Sequence, residues 1–417
     1  MAMDSGAPKE SFRLSMLLYD SRYRSYTIQI FVLFGLMLGA AWLVDNTVKN
    51  LAALGKDFSF SFLWNVSGYD ISQRPIEYSS TSTHARAAIV GLLNTIILAI
   101  MGCVTATILG VIAGVLRLSK NWIVARLMTI YIETFRNIPT LLWILVFGAI
   151  MAEAMPAPRD FRGDDPVATM SVFDSVAITN RGVYIPAPQF ERSLGSLDLG
   201  VVAPSLDAIA FIIVVILSFW ANKRVLRHAT AVQNATGVRP VTWWKSILIL
   251  LLPAILLLLA LGFYLDYPAL RGFNFQGGIQ LRSSLIAMWL GLSVYTAAFI
   301  AENVRAGIQA ISHGQTEAAA ALGMQPGKTM RLVILPQALR VIIPPLISQY
   351  LNLTKNTSLG LAVGYMDLRS TLGGITINQT GRELEGMMLM MLIYLTLSLL
   401  ISSAMNVYNS RVKLKER

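Results

Sequence analysis

The chain has 417 residues, 55% hydrophobic and 14% charged, with a mean hydropathy of +0.58. Soluble domains carry about 25% charged residues. This much apolar sequence exceeds what one aqueous core encloses, which excludes an ordinary soluble enzyme, a disordered regulator and a disulfide scaffold, and points to a multi-span membrane protein. The single Cys103 permits no intrachain disulfide or thiolate cluster, and His84, His228 and His313 match no zinc spacing, so no metal site is expected. The net charge of +11 is read as membrane topology, not as nucleic-acid binding, because Lys and Arg concentrate in the cytoplasmic loops of membrane proteins.

Eight apolar runs follow in order: Thr27–Val44, Ala88–Leu116, Pro139–Met151 with an amphipathic lead from Ile123, Asp207–Asn222, Ser246–Leu265, Leu285–Val304, Ala338–Gly364 and Met387–Tyr408. A helix of about 20 residues crosses a 30 Å hydrocarbon layer and satisfies its own backbone there. The expected fold class is therefore an all-α membrane protein. The first run is long enough to span and reads as a helix, not a cleavable leader. With the N-terminus placed inside, inner segments 1–26, 117–137, 223–245, 305–340 and 409–417 hold 21 Lys and Arg. The outer segments 45–85, 155–206, 266–283 and 365–385 are longer in total yet hold 11, so both termini are expected in the cytoplasm. The long outer loop Pro156–Leu206, with Asp160, Asp164, Asp165 and Asp174 and with Pro156, Pro158, Pro166, Pro186 and Pro188, reads as an ordered-to-irregular extracytoplasmic cap without a core of its own.

Several in-span residues carry information. Gly35-x-x-x-Gly39 and Gly110-x-x-x-Gly114 permit close helix approach, either within one subunit or between two. Gln349, Asn352 and Asn356 share one face of the seventh span, flanked by Lys355 and Thr357. They read as a pathway wall or as interhelical hydrogen bonds with a snorkelling lysine. Asn94 and Thr95 in the second span are further pathway candidates. Glu133 and Arg136, and Glu302 and Arg305, are spaced i, i+3 and read as intramembrane charge pairs.

The loop between the sixth and seventh spans is distinctive. Glu317 to Leu322 is strong helix-forming sequence, Gly323 a helix stop, Pro326 a helix start, and Pro336 a residue that ends or kinks the second helix before the next span. The expected result is a helix–turn–helix of two short helices, which hold their shape only when docked. The segment Gly323 to Thr329, with Gly327 and Lys328, is not a phosphate-binding loop. Three residues separate its glycines where four are needed, and no strand precedes it.

Glu317-Ala318-Ala319, three residues, Gly323, nine residues, Val333, one residue and Leu335-Pro336 resemble the EAA motif of ABC importer permeases, with Val333 in place of the pattern's Ile. The flanks Tyr295–Gln309, Leu335–Arg340, Asn352–Leu359, Gly91–Thr95 and Tyr131–Pro139 are similar to permeases for polar amino acids. Asn180–Pro188 and Asn378–Gly381 look like the larger permease of the general L-amino acid importers. Trp143 and Met366 depart from that pattern, where Gln and Pro are common, and Trp143 joins the pathway candidates. The resemblance implies a type I importer fold with a five-helix core and three extra helices. It divides the chain into 1–87, the core parts 88–154 and 284–417 around an insertion at 155–283, and a coupling loop at 310–336. It further implies a second, unlike permease, two ATP-binding subunits that use ATP and Mg, a periplasmic binding protein, an L-amino acid substrate, and no catalysis or cofactor in this chain. An ion-coupled secondary transporter explains the spans equally well but not the loop. A membrane enzyme lacks a catalytic constellation. A scaffold that kept the fold without transport is the third alternative.

Overall fold

The computed structural model describes residues 19–53, 55, 57–163, 165–197 and 204–412. The outer parts of both basic tails, Asp164 and part of the long outer loop lie outside the described residues. The chain divides into two units, residues 1–61 and 62–417. In the first, α1 (Ser21–Ala53) contains the expected Thr27–Val44 run and presents Phe31, Leu36 and Trp42 outward.

The second unit holds the remaining apolar helices. They are α2 (His84–Arg117), α3 (Trp122–Asn137), α4 (Thr140–Ala149, extended by a π turn at Ile150–Ala154), α5 (Leu206–Thr236), α6 (Trp243–Ala260) and α7 (Ser283–Gln309). After a short α8 (His313–Ala321) come α9 (Pro326–Thr329), α10 (Leu335–Asn356), α11 (Leu368–Ser370), α12 (Ile377–Thr380) and α13 (Glu383–Val412). Among the described residues of the whole chain, seven helices are long and apolar enough to cross a membrane, or eight if α3 and α4, bent by 105° to each other, form one span. That bend falls at Ile138–Pro139, where the residue before proline is driven out of the helical region.

Helices α2 and α7 form the centre. Leu98 and Ala106 of α2 pack with Leu285, Met288, Leu292 and Ile300 of α7, together with Ile144 of α4 and Leu353 of α10. The approach is close enough that a Cβ on Gly110 would stand 2.6 Å from Ile300 Cβ, and one on Gly114 2.6 Å from the Ala301 carbonyl oxygen. Gly110-x-x-x-Gly114 is therefore used inside this chain, between its second and sixth expected spans.

Five expectations need correction. The unit is not all-α: seven short strands lie between α4 and α7. Strands β1 (Ala177–Thr179), β2 (Gly182–Ile185) and β7 (Ile279–Arg282) form an antiparallel sheet with Tyr184 opposite Gln280. β3 (Ala187–Phe190) pairs with β4 (Phe263–Asp266), and β5 (Ala269–Arg271) with β6 (Asn274–Gln276). The outer loop also has a core, in which Ala177, Tyr184 and Phe275 are buried with Phe161, Met170 and Leu270 around them. The strands hide from local periodicity because each has three or four residues and two of the sheets join segments on opposite sides of the α5–α6 hairpin.

The fourth expected span, Asp207–Asn222, stops 14 residues before its helix does, since Gly237 at φ +75° ends α5. The fifth, Ser246–Leu265, runs too far: α6 ends at Ala260 and Leu265 sits in β4. Finally, Pro336 neither ends nor sharply kinks a helix. The turn Met330–Ile334 is a π turn, and the Leu335 N–H reaches back five residues to the Met330 carbonyl. That wider turn precedes the position where Pro336 offers no N–H, so residues 326–363 run on as one 38-residue apolar helical stretch.

Candidate functional site

The loop after α7 is built by local rules. Ser312 caps α8, its hydroxyl accepting from the Gly314 N–H at 3.3 Å. At the other end the Gly323 N–H donates to the Ala320 carbonyl at 2.9 Å, and the Met324 N–H to the Ala319 carbonyl at 3.1 Å. This paired closure, with Gly323 at φ +71°, is the Schellman motif. Gln325 then starts α9, with Pro326 at its first position. Ala319 is buried against the chain, and the Gln337 side chain donates to Gln315 Oε1 at 3.2 Å, holding α8 on α10.

The outer face of the loop is open. Glu317, Ala318, Gly323, Leu335 and Pro336 are exposed, and among the described residues Glu317 makes no hydrogen bond or ion pair. Leu322 is 81% exposed and Leu332 63%.

A charge network ties this region to three helices. Arg117, the last residue of α2, donates to Glu302 of α7 at 2.5 Å and to Glu133 of α3 at 3.3 Å. Arg305 donates to Glu302 at 2.5 Å and also bonds Gln309. The expected Glu302–Arg305 pair is therefore present within a larger cluster. The expected Glu133–Arg136 pair is not: Glu133 turns to Arg117, while the Arg136 guanidinium lies 5.4 Å from the centre of the Phe299 ring, and its buried Nε has no partner. The spacing i, i+3 allowed a contact, but α3 packs so that these two residues face different helices.

The pathway candidates fall into two groups. Asn94 and Thr95 are fully buried and bonded to backbone. Asn94 Nδ2 donates to the Gln73 and Met366 carbonyls, both at 2.9 Å, and Thr95 Oγ1 accepts from the Leu368 N–H at 3.1 Å. Thr357 is likewise enclosed, donating to the Thr354 carbonyl at 2.8 Å. In contrast, Asn352 and Lys355 are exposed and Gln349 and Asn356 half-buried. Trp143 stacks on Phe135 at 3.9 Å, with its buried Nε1 unpartnered. A cavity of 320 Å³ between α4, the start of α7 and Ala362–Val363 is lined by Leu145, Gly148, Ala149, Ala287 and other mostly small residues and by none of these candidates.

Sequence reading missed one node. Asp367 is fully buried and caps α11, accepting from the Ser370 N–H at 2.9 Å, the Ser370 hydroxyl at 2.8 Å and the Tyr394 hydroxyl at 3.2 Å. Burial pushes its carboxyl above the usual carboxylate range. Beside it the Tyr365 hydroxyl donates to the Asn94 carbonyl at 2.8 Å. The available signal was Asp367 followed three residues later by Ser370, a helix-cap pattern inside a segment read only as an outer loop.

The family described as the binding-protein-dependent transport system inner membrane component matches residues 106–414. The chain belongs to that family. It is 62% identical, over the full length of both chains, to the glutamate/glutamine/aspartate/asparagine transport system permease protein BztB of Rhodobacter capsulatus. It is 41% identical to the general L-amino acid transport system permease protein AapQ of Rhizobium johnstonii, covering 98% of this chain and 96% of that one. A crystal structure of an amino acid ABC transporter with histidines aligns with 79% of this chain and 95% of its own at 17% identity, with a TM-score of 0.44. The loop from Ser312 to Pro336 has both a defined shape and an uncovered face.

Proposed function

We propose that this chain is a permease subunit of an ATP-driven, binding-protein-dependent importer of L-amino acids, with polar amino acids as its main substrates. The substrate class rests on the names of the full-length relatives, which specify glutamate, glutamine, aspartate, asparagine and general L-amino acids. The complex contains a second, unlike permease, two ATP-binding subunits that bind ATP and Mg, and a periplasmic binding protein. The chain crosses the bacterial inner membrane eight times, with both termini cytoplasmic, as the Lys and Arg distribution supports. Residues 88–154 and 284–417 form the permease core around the insertion 155–283.

One observation carries the mechanism: the exposed loop continues into a single helical stretch of 38 residues, with the irregularity before Pro336 absorbed by a π turn. A docked partner that closes on Glu317, Ala318 and Ala319 moves a rigid lever, not a slack linker. Leu335 and Pro336 lie at the base of that lever, and Gln349, Asn352, Lys355 and Asn356 lie further along it. ATP drives alternating access because the ATP-binding subunits dock more tightly in one state than in the other. The polar face of α10 then lines the pathway against the second permease, with Trp143 at its side. Asn94, Thr95 and Thr357 hold the wall in place through their backbone bonds. The cluster Arg117, Glu133, Glu302 and Arg305, with Arg136 beside it, keeps α2, α3 and α7 together next to the loop. No observation favours the ion-coupled alternative.

The test is purification of a tagged copy from its native membrane in gentle detergent, with co-purifying proteins identified and counted. Recovery of a second permease and two ATP-binding subunits is expected. Recovery of this chain alone, or only with copies of itself, overturns the reading.

A further inference from the structure

The inserted hairpin carries a feature outside the loop and the polar face of α10. On α5, Trp220, Lys223, Arg224 and Arg227 recur at i, i+3, i+4 and i+7, so they form one stripe on one helix face. Their side chains are exposed and enclose a cavity of 200 Å³. Among the described residues, none of the three cations has an ion pair or hydrogen bond. The segment 223–245 contains Lys223, Arg224, Arg227, Arg239 and Lys245 and no Asp or Glu.

Depth makes the stripe specific. Asp207, at the strand end of α5, accepts from the Leu194 N–H and the Ser193 hydroxyl, which fixes that end among polar groups. Sixteen residues separate Asp207 from Lys223 and twenty separate it from Arg227, about 24 and 30 Å of helix at 1.5 Å per residue. The hydrocarbon layer is about 30 Å thick. The three cations therefore reach its far edge, where lipid phosphates begin. Helix α6, which packs against α5, gives the same level independently. Trp243 is seventeen residues, or about 26 Å, from Ala260 at its strand end. Trp243 and Trp244 are exposed there, with Lys245 Nζ 5.3 Å from the Trp244 ring centre. Tryptophans mark the headgroup level of a bilayer.

We propose that the Trp220–Lys223–Arg224–Arg227 stripe is a binding site for the phosphate of an anionic phospholipid headgroup, with the Trp220 ring against the glycerol and upper acyl region. A general excess of inner basic residues accounts for their sign and side. It does not account for three cations on one face of one helix, around a cavity, beside an interfacial tryptophan and, among the described residues, without an ion pair. Guanidinium groups suit this ligand because they bond phosphate oxygens in a forked geometry.

The experiment compares the intact complex with one carrying Lys223→Gln, Arg224→Gln and Arg227→Gln, each exchanged into nanodiscs of phosphatidylcholine with increasing phosphatidylglycerol. Native mass spectrometry counts the phospholipids retained on this chain. The wild type is expected to retain one more phosphatidylglycerol per copy than the variant, with an apparent affinity on the order of a hundredfold higher, as three interfacial charges imply. Phosphatidylcholine and inorganic phosphate are expected to give no such difference. Equal retention by both proteins, equal preference of the wild type for phosphatidylcholine, or displacement of the lipid by inorganic phosphate overturns the proposal. So does cross-linking of Lys223 to an acidic segment of an ATP-binding subunit. The wild-type comparison of the two lipids needs no variant, so it decides the matter even if the variant does not assemble.

Discussion

The α2–α7 pair and the α5–α6 hairpin are both apolar helix pairs in the same unit, yet they are held in opposite ways. In α7, 67% of the most apolar window is buried within the chain, against 6% for α5 and none for α6. The central pair meets through small residues, with Gly110 and Gly114 set against Ile300 and Ala301. The hairpin presents Phe219, Leu251 and Leu256 outward. Since lipid tails are as apolar as leucine, hydropathy alone does not bring membrane helices together. Close backbone approach does so in the centre, while the hairpin's surface is left uncovered by this chain, as expected of a face that meets lipid, and its ends are tied down by the β3–β4 pairing.

The sharpest way to break this contrast is Gly110→Leu. Its Cβ alone would stand 2.6 Å from Ile300 Cβ and 2.9 Å from the Ala297 carbonyl. Overpacking against backbone here is expected to cost at least about 3 kcal/mol. Thermal unfolding in detergent, followed by size-exclusion chromatography, should show loss of the monodisperse folded species; a wild-type profile would mean that the helices can move apart at little cost.

Arg117→Ala should come next. It leaves Glu302 with Arg305 alone and Glu133 with no partner, at positions where Arg117 and Glu302 are 16% and 23% exposed. The expected loss is about 1–3 kcal/mol, below the figure for a fully buried pair because solvent reaches the cluster. Unfolding temperature checks this, and the double variant Arg117→Ala with Glu302→Gln should lose less than the two single losses added. Leu256→Ala in the hairpin should be the smallest effect, under about 0.5 kcal/mol, because that side chain is 55% exposed and leaves no cavity. A loss comparable with that of Gly110→Leu would show that the hairpin packs on a surface this account leaves to lipid.

The same contrast explains how much the sequence disclosed. Hydropathy located the apolar runs, because each spanning helix must be apolar over about 20 residues. It misplaced the ends of α5 and α6, since helix continues through Lys223 to Thr236 after apolarity stops, and Leu265 is apolar but belongs to a strand. The loop Glu317 to Gly323 was legible because capping and the positive φ at Gly323 are local effects. Pro336 misled because a π turn one step earlier is invisible to propensity. The Glu133–Arg136 pairing failed because the partner Arg117 lies 16 residues away and only packing brings it close, whereas Asp367 carried a local cap signal with Ser370 and only its bond to Tyr394, 27 residues on, depends on packing.

The central claim is that ATP hydrolysis reaches the pathway through the exposed helix–turn–helix. The direct measurement is the ratio of amino acid uptake to ATP hydrolysis by the reconstituted importer, with wild type beside Gly323→Val. A β-branched residue at φ +71° is strained by roughly 1–3 kcal/mol and deforms the turn, while nothing lies within 4 Å to clash with it. The account predicts an assembled complex that still hydrolyses ATP but imports several-fold less per ATP. An unchanged ratio in an assembled complex would contradict it.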